Sequence, residues 1–156
     1  MVDGDSLTNK PGTYALVLVS AAARTIQVGK LGELAVEPGF YVYVGSAAGP
    51  GGLRARVARH LRDSKRIHWH IDYLRSVAAV EEVWFTTQAG GTEHRWANAL
   101  GSMPGASVPL PGFGSSDCRC VSHLFYFSSR PAVRDMVDIS GPDEGLHLAR
   151  QEAADR

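Results

Sequence analysis

A basic stretch in the middle of the chain carries residue types that suit contact with an anionic partner. Between Leu53 and Arg75, seven basic side chains outnumber two aspartates, giving +5 in a chain whose formal net charge is zero. The basic residues are Arg54, Arg56, Arg59, Arg62, Lys65, Arg66 and Arg75. Such a stretch is typical of a surface that meets phosphates, because lysine and arginine displace the condensed counterions. A solvated helix face has the same composition, and charge alone does not distinguish the two.

Two groups of soft or imidazole ligands could bind a metal. Cys118, Cys120 and His123 follow one another closely, but a closed zinc site needs four ligands and the sequence has no second cysteine pair, which favours a structural role. His68 and His70 flank Trp69. These two histidines could bind a metal or touch phosphate, or they could cap a helix start while the apolar residues around them pack. The sequence leaves both interpretations open.

The length and composition predict one globular domain. The chain has 156 residues, of which 44% are hydrophobic and 21% charged, close to ordinary globular usage. No apolar run approaches the roughly 18 residues of a membrane helix, and the polar N-terminus has no signal-peptide pattern. The two cysteines are too close together to link distant loops. We therefore expect a cytoplasmic protein that has no membrane partner.

The elements that must position these residues follow from hydrophobic periodicity and turn residues. Strands are predicted at 13–19, 25–29, 40–44, 80–86 and 120–127, with a loop at 32–39 and a turn at 46–52. Helices are predicted at 53–63, 69–77 and 93–100, the last capped by Thr92 and ended by Gly101. Strand 80–86 should place Val83 and Phe85 on one face and Trp84 on the other. Residues 1–10 read as a flexible arm, 11–130 as the domain and 131–156 as a tail without periodicity.

Helix 53–63 also places two functional side chains together. Leu53, Val57 and Leu61 recur every four residues and form its apolar stripe. Arg56 and His60 are four residues apart, so they share one face beside that stripe.

The order of these elements and residues resembles the GIY-YIG nuclease superfamily. The two half-motifs are Gly12-Thr13-Tyr14 and Tyr43-Val44-Gly45, with Thr13 where the family has isoleucine. They are followed by the Arg-x-x-x-His helix and by a glutamate, Glu93, at the start of a later helix. Asn98 is a candidate for the family's later asparagine.

Longer runs resemble one branch of the superfamily, a domain also found fused to endonuclease III in archaea. These runs are YVYVGSA, RARVARHL, HWHIDYL and GSSDCRCVSHLFYF. The branch has a long insertion between its half-motifs, and here 29 positions separate Tyr14 from Tyr43. The likeness extends over most of the chain, from about Gly12 to Phe127.

The resemblance implies an α/β (α+β) domain with a small central, mainly antiparallel sheet flanked by helices. It also implies metal-dependent hydrolysis of DNA phosphodiester bonds, with DNA repair as one process that would use it, and with Mg²⁺ or Mn²⁺ held by Glu93. Arg56 would clamp the scissile phosphate and Tyr14 would activate or position water, while Tyr43 and His60 would relay or orient its proton. A non-catalytic DNA-binding module, or a scaffold for a DNA-repair partner, is the alternative.

The expected DNA contacts are Gly45, Ser46, Arg54, Arg59, Arg62, Lys65, Arg66, His68 and His70. The five expected catalytic residues come from different elements. If they act together, they must converge on one concave, solvent-open surface.

Overall fold

Antiparallel strands form the centre of the domain, with helices on both faces. The computed structural model describes residues 7–62, 66–88, 91–115, 118–141 and 146–150. Its strands are β1 (Gly12–Ser20), β2 (Arg24–Val28), β3 (Gly32–Val36), β4 (Gly39–Ala47), β5 (Ala79–Thr86), β6 (Leu124–Phe127) and β7 (His147–Arg150). Its helices are α1 (Gly52–Leu61), α2 (His70–Arg75), α3 (Thr92–Ser102) and α4 (Val133–Ser140).

The main sheet has five strands in the order β6-β4-β1-β5-β7, and each neighbouring pair is antiparallel. β2 and β3 form a separate two-stranded sheet. The predicted α+β fold with a mainly antiparallel sheet is confirmed. In the register of β1 with β4, Tyr14 lies opposite Gly45, which brings the two half-motifs together.

Strand alternation divides the core into two layers, because successive side chains point to opposite faces of a sheet. Leu16 of β1 joins the layer that contains the apolar residues of α1 and α2. Val17 joins the layer formed with α3 and α4. The predicted separation of Val83 and Phe85 from Trp84 is confirmed, since Trp84 belongs to the second layer and the other two to the first.

Three local predictions are wrong. Residues 32–36 form β3 and not a loop, because buried Leu34 and Val36 alternate with exposed neighbours. α3 begins after Gly91, which is its N-cap, and it continues through Gly101 to Ser102. Thr92 is thus the first helical residue, and its hydroxyl donates back to the Gln88 carbonyl.

The last predicted strand is also shorter than expected. β6 begins at Leu124 and not at residue 120. The preceding segment still reaches the sheet, since the N–H of Val44 donates to the carbonyl of His123 at 2.9 Å.

Both predicted domain boundaries fall inside packed structure. Leu7 is buried, and the carbonyls of Thr8 and Lys10 accept from the first N–H groups of α1, which have no partner within the helix. Beyond residue 130, α4 packs on α3 and β7 pairs with β5. Residues 1–6 and 151–156 lie outside the described residues. Within the described part of the chain, no helix is long and apolar enough to cross a membrane.

A buried ion pair fixes α2 against α1. The Asp72 side chain is fully buried and accepts from both terminal nitrogens of Arg59, at 3.0 and 2.9 Å. It also accepts from the backbone N–H groups of His68 and Trp69. Burial alone would raise the pKa of Asp72, but these hydrogen bonds lower it to about 2. The carboxylate therefore stays ionised through most of the acid range.

Replacing Asp72 with asparagine should destabilise the domain in a pH-dependent way. The lowered pKa means that the ionised carboxylate stabilises the fold above about pH 4, and that this contribution is lost as the pH falls towards about 2. Each unit by which the pKa is lowered corresponds to about 1.4 kcal/mol. At neutral pH the free energy of unfolding of the wild type should therefore exceed that of the variant by about 2 kcal/mol. Urea denaturation should show that this difference in the free energy of unfolding falls by roughly half at pH 3. Asp138→Asn, at an exposed aspartate, is the control, and a gap independent of pH would contradict the assignment.

Candidate active site

A solvent-open cavity of about 400 Å³ lies near the start of β1 and the end of β4, between α1 and α3. Four of the five predicted catalytic residues line it, namely Tyr14, Tyr43, Arg56 and Glu93. The other lining residues are Gly45, Ser46, His68, Trp69, His70, His94, Gly114, Cys118 and His123. His60 is buried behind the cavity wall, where its Nε2 lies 2.6 Å from the Tyr14 hydroxyl. Four of the five predicted residues therefore share this surface, and the buried His60 does not open onto it.

Gly45 allows the Tyr14 ring to lie across the neighbouring strand. A Cβ atom at Gly45 would overlap the hydroxyl end of Tyr14. The strand predicted to end at residue 44 continues as β4 past Gly45 to Ala47. The role of Gly45 in the structure is to admit the phenol of Tyr14 beside His60.

Gly45→Ala should therefore destabilise the domain by about 1–3 kcal/mol, as overpacking of a core commonly does. Gly49→Ala is the matched control, because its Cβ would meet only the tip of Arg56, at 3.9 Å. Urea denaturation of both variants checks this, with a change within about 0.5 kcal/mol expected for the control. Equal stability of Gly45→Ala and wild type would mean that Tyr14 does not need this space.

The two tyrosines are neutral phenols in this environment. Burial raises the pKa of Tyr14 well above its usual value, Tyr43 raises it further, and Arg56 opposes the rise. Burial likewise raises the pKa of Tyr43, with a further rise caused by Glu93. The Tyr14 hydroxyl can therefore donate its proton to Nε2 of His60.

Arg56 is held at the edge of the cavity by two contacts. Its Nη1 donates to the carbonyl of Ser46 at 2.8 Å, and its guanidinium lies 4.6 Å from the centre of the Trp69 ring. Arg59 also lies over Trp69, at 4.2 Å. Because a guanidinium has five N–H donors, the Ser46 contact leaves Arg56 able to bind a phosphate oxygen pair.

The arginines predicted to contact DNA divide into two groups. Arg54 donates to the carbonyl of Leu7, and Arg59 pairs with Asp72, so both have partners that hold the fold together. Arg66 is exposed, and its contact with phosphate stays a prediction. Arg62 is exposed as well, but it has a partner within the protein. Lys65 lies outside the described residues.

Of the two interpretations of the HWH segment, the one in which its histidines cap a helix start is wrong in that detail. The helix start at Trp69 is capped by the Asp72 carboxylate, so the histidines are not the caps. Nδ1 of His70 accepts from the N–H of Gly114 at 2.9 Å, and burial lowers the pKa of His70. The exposed ring of His68 packs edge-on against Trp69. Both histidines line the cavity, so contact with a bound phosphate stays a prediction.

Glu93 lies in the first turn of α3, with its side chain 26% exposed. Its Oε2 is 3.3 Å from Nδ1 of His123. The same nitrogen lies 3.2 Å from the Val44 carbonyl. Glu93 is thus fixed on one side while it opens onto the cavity.

Sequence reasoning missed His94. It follows Glu93 in α3 and comes within reach of both cysteines and His123. Twenty-four positions separate it from Cys118, and no local spacing pattern indicates that contact. Asn98, one turn further along the helix, is exposed and does not line this cavity.

The fold and site define an α+β domain with a polar pocket, built from tyrosine, arginine, histidine and glutamate, beside its central sheet. The chain belongs to the family described as Domain of unknown function DUF123, whose family model matches residues 13–143. Comparisons with curated proteins and with solved structures gave no match.

Proposed function

We propose that this protein is a metal-dependent endonuclease of the GIY-YIG superfamily that hydrolyses DNA phosphodiester bonds. One observation carries the proposal. Tyr14, Tyr43, Arg56 and Glu93 line a single cavity although they come from different elements, and His60 is hydrogen-bonded to Tyr14. Unrelated core and surface residues have no reason to meet in this way.

The donor set fits a hard divalent cation. Among the described residues that line the cavity, Glu93 has the only carboxylate. Mg²⁺ is commonly held by one or two carboxylates together with several waters and substrate phosphate oxygens. The cavity, about 400 Å³, has room for a hydrated ion and a phosphate group, since a water takes about 30 Å³. Glu93 would hold Mg²⁺ or Mn²⁺ through the oxygen that His123 does not contact.

The bound cation would act as a Lewis acid that stabilises the charge developing on the phosphate and on the oxygen that leaves when the P–O bond breaks. Arg56 would bind two oxygens of the scissile phosphate with its planar fork and keep the phosphorus in line for attack. Its contacts with Ser46 and Trp69 support this role, because they hold the guanidinium before the substrate arrives.

Tyr14 would pass a proton from the attacking water to His60. As the phenol oxygen takes the proton of the water, its own proton would move to Nε2 of His60, 2.6 Å away. This exchange never requires an ionised phenol in the resting site, which agrees with the raised pKa of Tyr14. Tyr43, beside it, would orient the water or the phosphate.

DNA would reach the pocket along the exposed part of the basic stretch between Leu53 and Arg75. Arg66 is exposed and lies two residues before His68, which lines the cavity. Its charge would be neutralised by a backbone phosphate and would add affinity without base preference.

The test is incubation of the purified protein with duplex, branched, flapped and single-stranded DNA in Mg²⁺, Mn²⁺ or EDTA. We expect cutting of at least one of these DNAs in Mg²⁺ or Mn²⁺, and none in EDTA. Binding of DNA without cutting in either metal would support the non-catalytic module instead.

A further inference from the structure

A second group of possible metal ligands lies in the wall of the pocket, and the proposed cleavage mechanism does not use it. It consists of His94 of α3 and three residues that precede β6, Cys118, Cys120 and His123. Each offers one ligand atom, and the four atoms all lie within 4.8 Å of one another. We refer to these four residues as the Cys2His2 cluster.

The distances in the cluster approach those of a tetrahedral zinc site. Nδ1 of His94 lies 3.3 Å from Sγ of Cys120, and Nε2 of His123 lies 3.3 Å from Sγ of Cys118. With Zn–S near 2.3 Å and Zn–N near 2.0 Å, neighbouring ligand atoms in a tetrahedron are about 3.3–3.8 Å apart. These two pairs already have this separation. A contraction of about 1 Å between the others would complete the tetrahedron.

The surroundings of His123 supply a second, independent argument. This side chain is buried, and it turns Nε2 towards Cys118 while Nδ1 meets the Val44 carbonyl and the Glu93 carboxylate. A histidine that binds zinc commonly donates its other ring N–H to a carbonyl or carboxylate, which fixes its tautomer. Both oxygens are in position for that donation. His123 is therefore oriented as a metal ligand would be.

We propose that the Cys2His2 cluster binds one Zn²⁺ as a structural ion, distinct from the Mg²⁺ or Mn²⁺ of the proposed nuclease. Four protein ligands make the site closed, with no position left for water or substrate. Two thiolates balance the charge of the ion, so it would not repel a second cation held by Glu93.

The zinc would fix two parts of the pocket wall. It would join the segment 118–123 to the first turn of α3, the turn that carries Glu93. Through His123 it would also hold the Glu93 carboxylate in place. Gly114, whose missing side chain leaves space for Tyr43, lies against His123 as well. The ion would thus position the proposed metal-binding carboxylate.

The test uses the full chain without a histidine tag, expressed with added zinc. Elemental analysis should find one zinc per chain, retained through gel filtration. After removal of the zinc, the protein should bind one equivalent of Co²⁺. The bound Co²⁺ should show a thiolate charge-transfer band and the strong visible bands of tetrahedral coordination. Wild type that contains no zinc and gives no such spectrum with Co²⁺ would overturn the proposal.

Single-ligand variants identify the residues that hold the ion. Cys118→Ser and His94→Asn should each lose the tetrahedral Co²⁺ spectrum, whereas His147→Asn, an exposed histidine of β7, should keep it. Because His94 is exposed, His94→Asn should fold even if Cys118→Ser does not. Retention of full zinc content and an unchanged spectrum in His94→Asn would also overturn the four-ligand site.

One more variant separates this site from the nuclease. Glu93→Gln should still contain zinc, with an affinity reduced by about tenfold, because it changes a partner of a ligand and not a ligand. Zinc binding without DNA cleavage would leave the zinc site intact and remove the nuclease. DNA cleavage by a protein that contains no zinc would support the nuclease proposal and contradict the zinc site.

Discussion

Glu93→Gln is expected to abolish the cleavage of DNA in Mg²⁺ while the protein remains folded and continues to bind DNA. Glutamine keeps the shape of the side chain and can still accept from His123, but it lacks the charge that holds a hard cation. Loss of the several kcal/mol that such an ion supplies corresponds to a rate at least about 10²-fold lower. Because the Glu93 side chain is partly exposed, its own contribution is small, and the free energy of unfolding should fall by no more than about 2 kcal/mol, most of it from the weaker binding of zinc.

The matched control is Glu33→Gln, which makes the same charge change at an exposed position of β3. Both variants are compared with wild type for cleavage rate at saturating DNA, for DNA affinity and for thermal stability. A Glu93→Gln protein that cuts as fast as the control would show that Glu93 is not the metal ligand.

Arg56→Ala should lower the cleavage rate at saturating DNA by about 10²–10³-fold and reduce DNA affinity much less, because a preorganised donor acts mainly on the charge of the transition state. Arg66→Ala should have the opposite profile. At that exposed position the lost contact is with a backbone phosphate, so DNA affinity should fall. The slope of log affinity against log salt concentration should decrease by about the amount of one phosphate contact.

Arg56→Lys refines this comparison. Lysine retains the charge but not the planar fork or the same stacking on Trp69, so most of the rate should still be lost. If Arg56→Ala and Arg66→Ala reduce cleavage equally at saturating DNA, Arg56 is one more phosphate contact and not the clamp.

Sequence patterns predicted the elements whose signals are local. The alternation through Val83, Trp84 and Phe85 assigned these side chains to the correct faces, and the four-residue repeat of α1 placed Arg56 and His60 together. Ordered motifs from distant segments then predicted that five side chains, those of Tyr14, Tyr43, Arg56, His60 and Glu93, would converge on one open surface. All but His60 line one cavity, and His60 is buried behind it.

The features that were missed depend on tertiary contacts. The alternation in β3 is short and lies between glycines, so turn residues concealed it. Arg59 looked like a DNA contact because nothing local indicates that Asp72, thirteen residues away, is buried against it. His94 joins the Cys2His2 cluster only because α3 packs beside the segment that leads to β6. Long-range packing therefore decides which charged and metal-binding side chains remain available.

The most direct test of the nuclease proposal is single-turnover cleavage of end-labelled DNA by zinc-loaded wild type, with Glu93→Gln measured in parallel under a Mg²⁺ titration. The proposed site predicts that the rate for wild type rises with Mg²⁺ and saturates, while the variant stays at background over the same range. DNA that is bound by wild type but left uncut at every Mg²⁺ and Mn²⁺ concentration, or cut equally by both proteins, would contradict it.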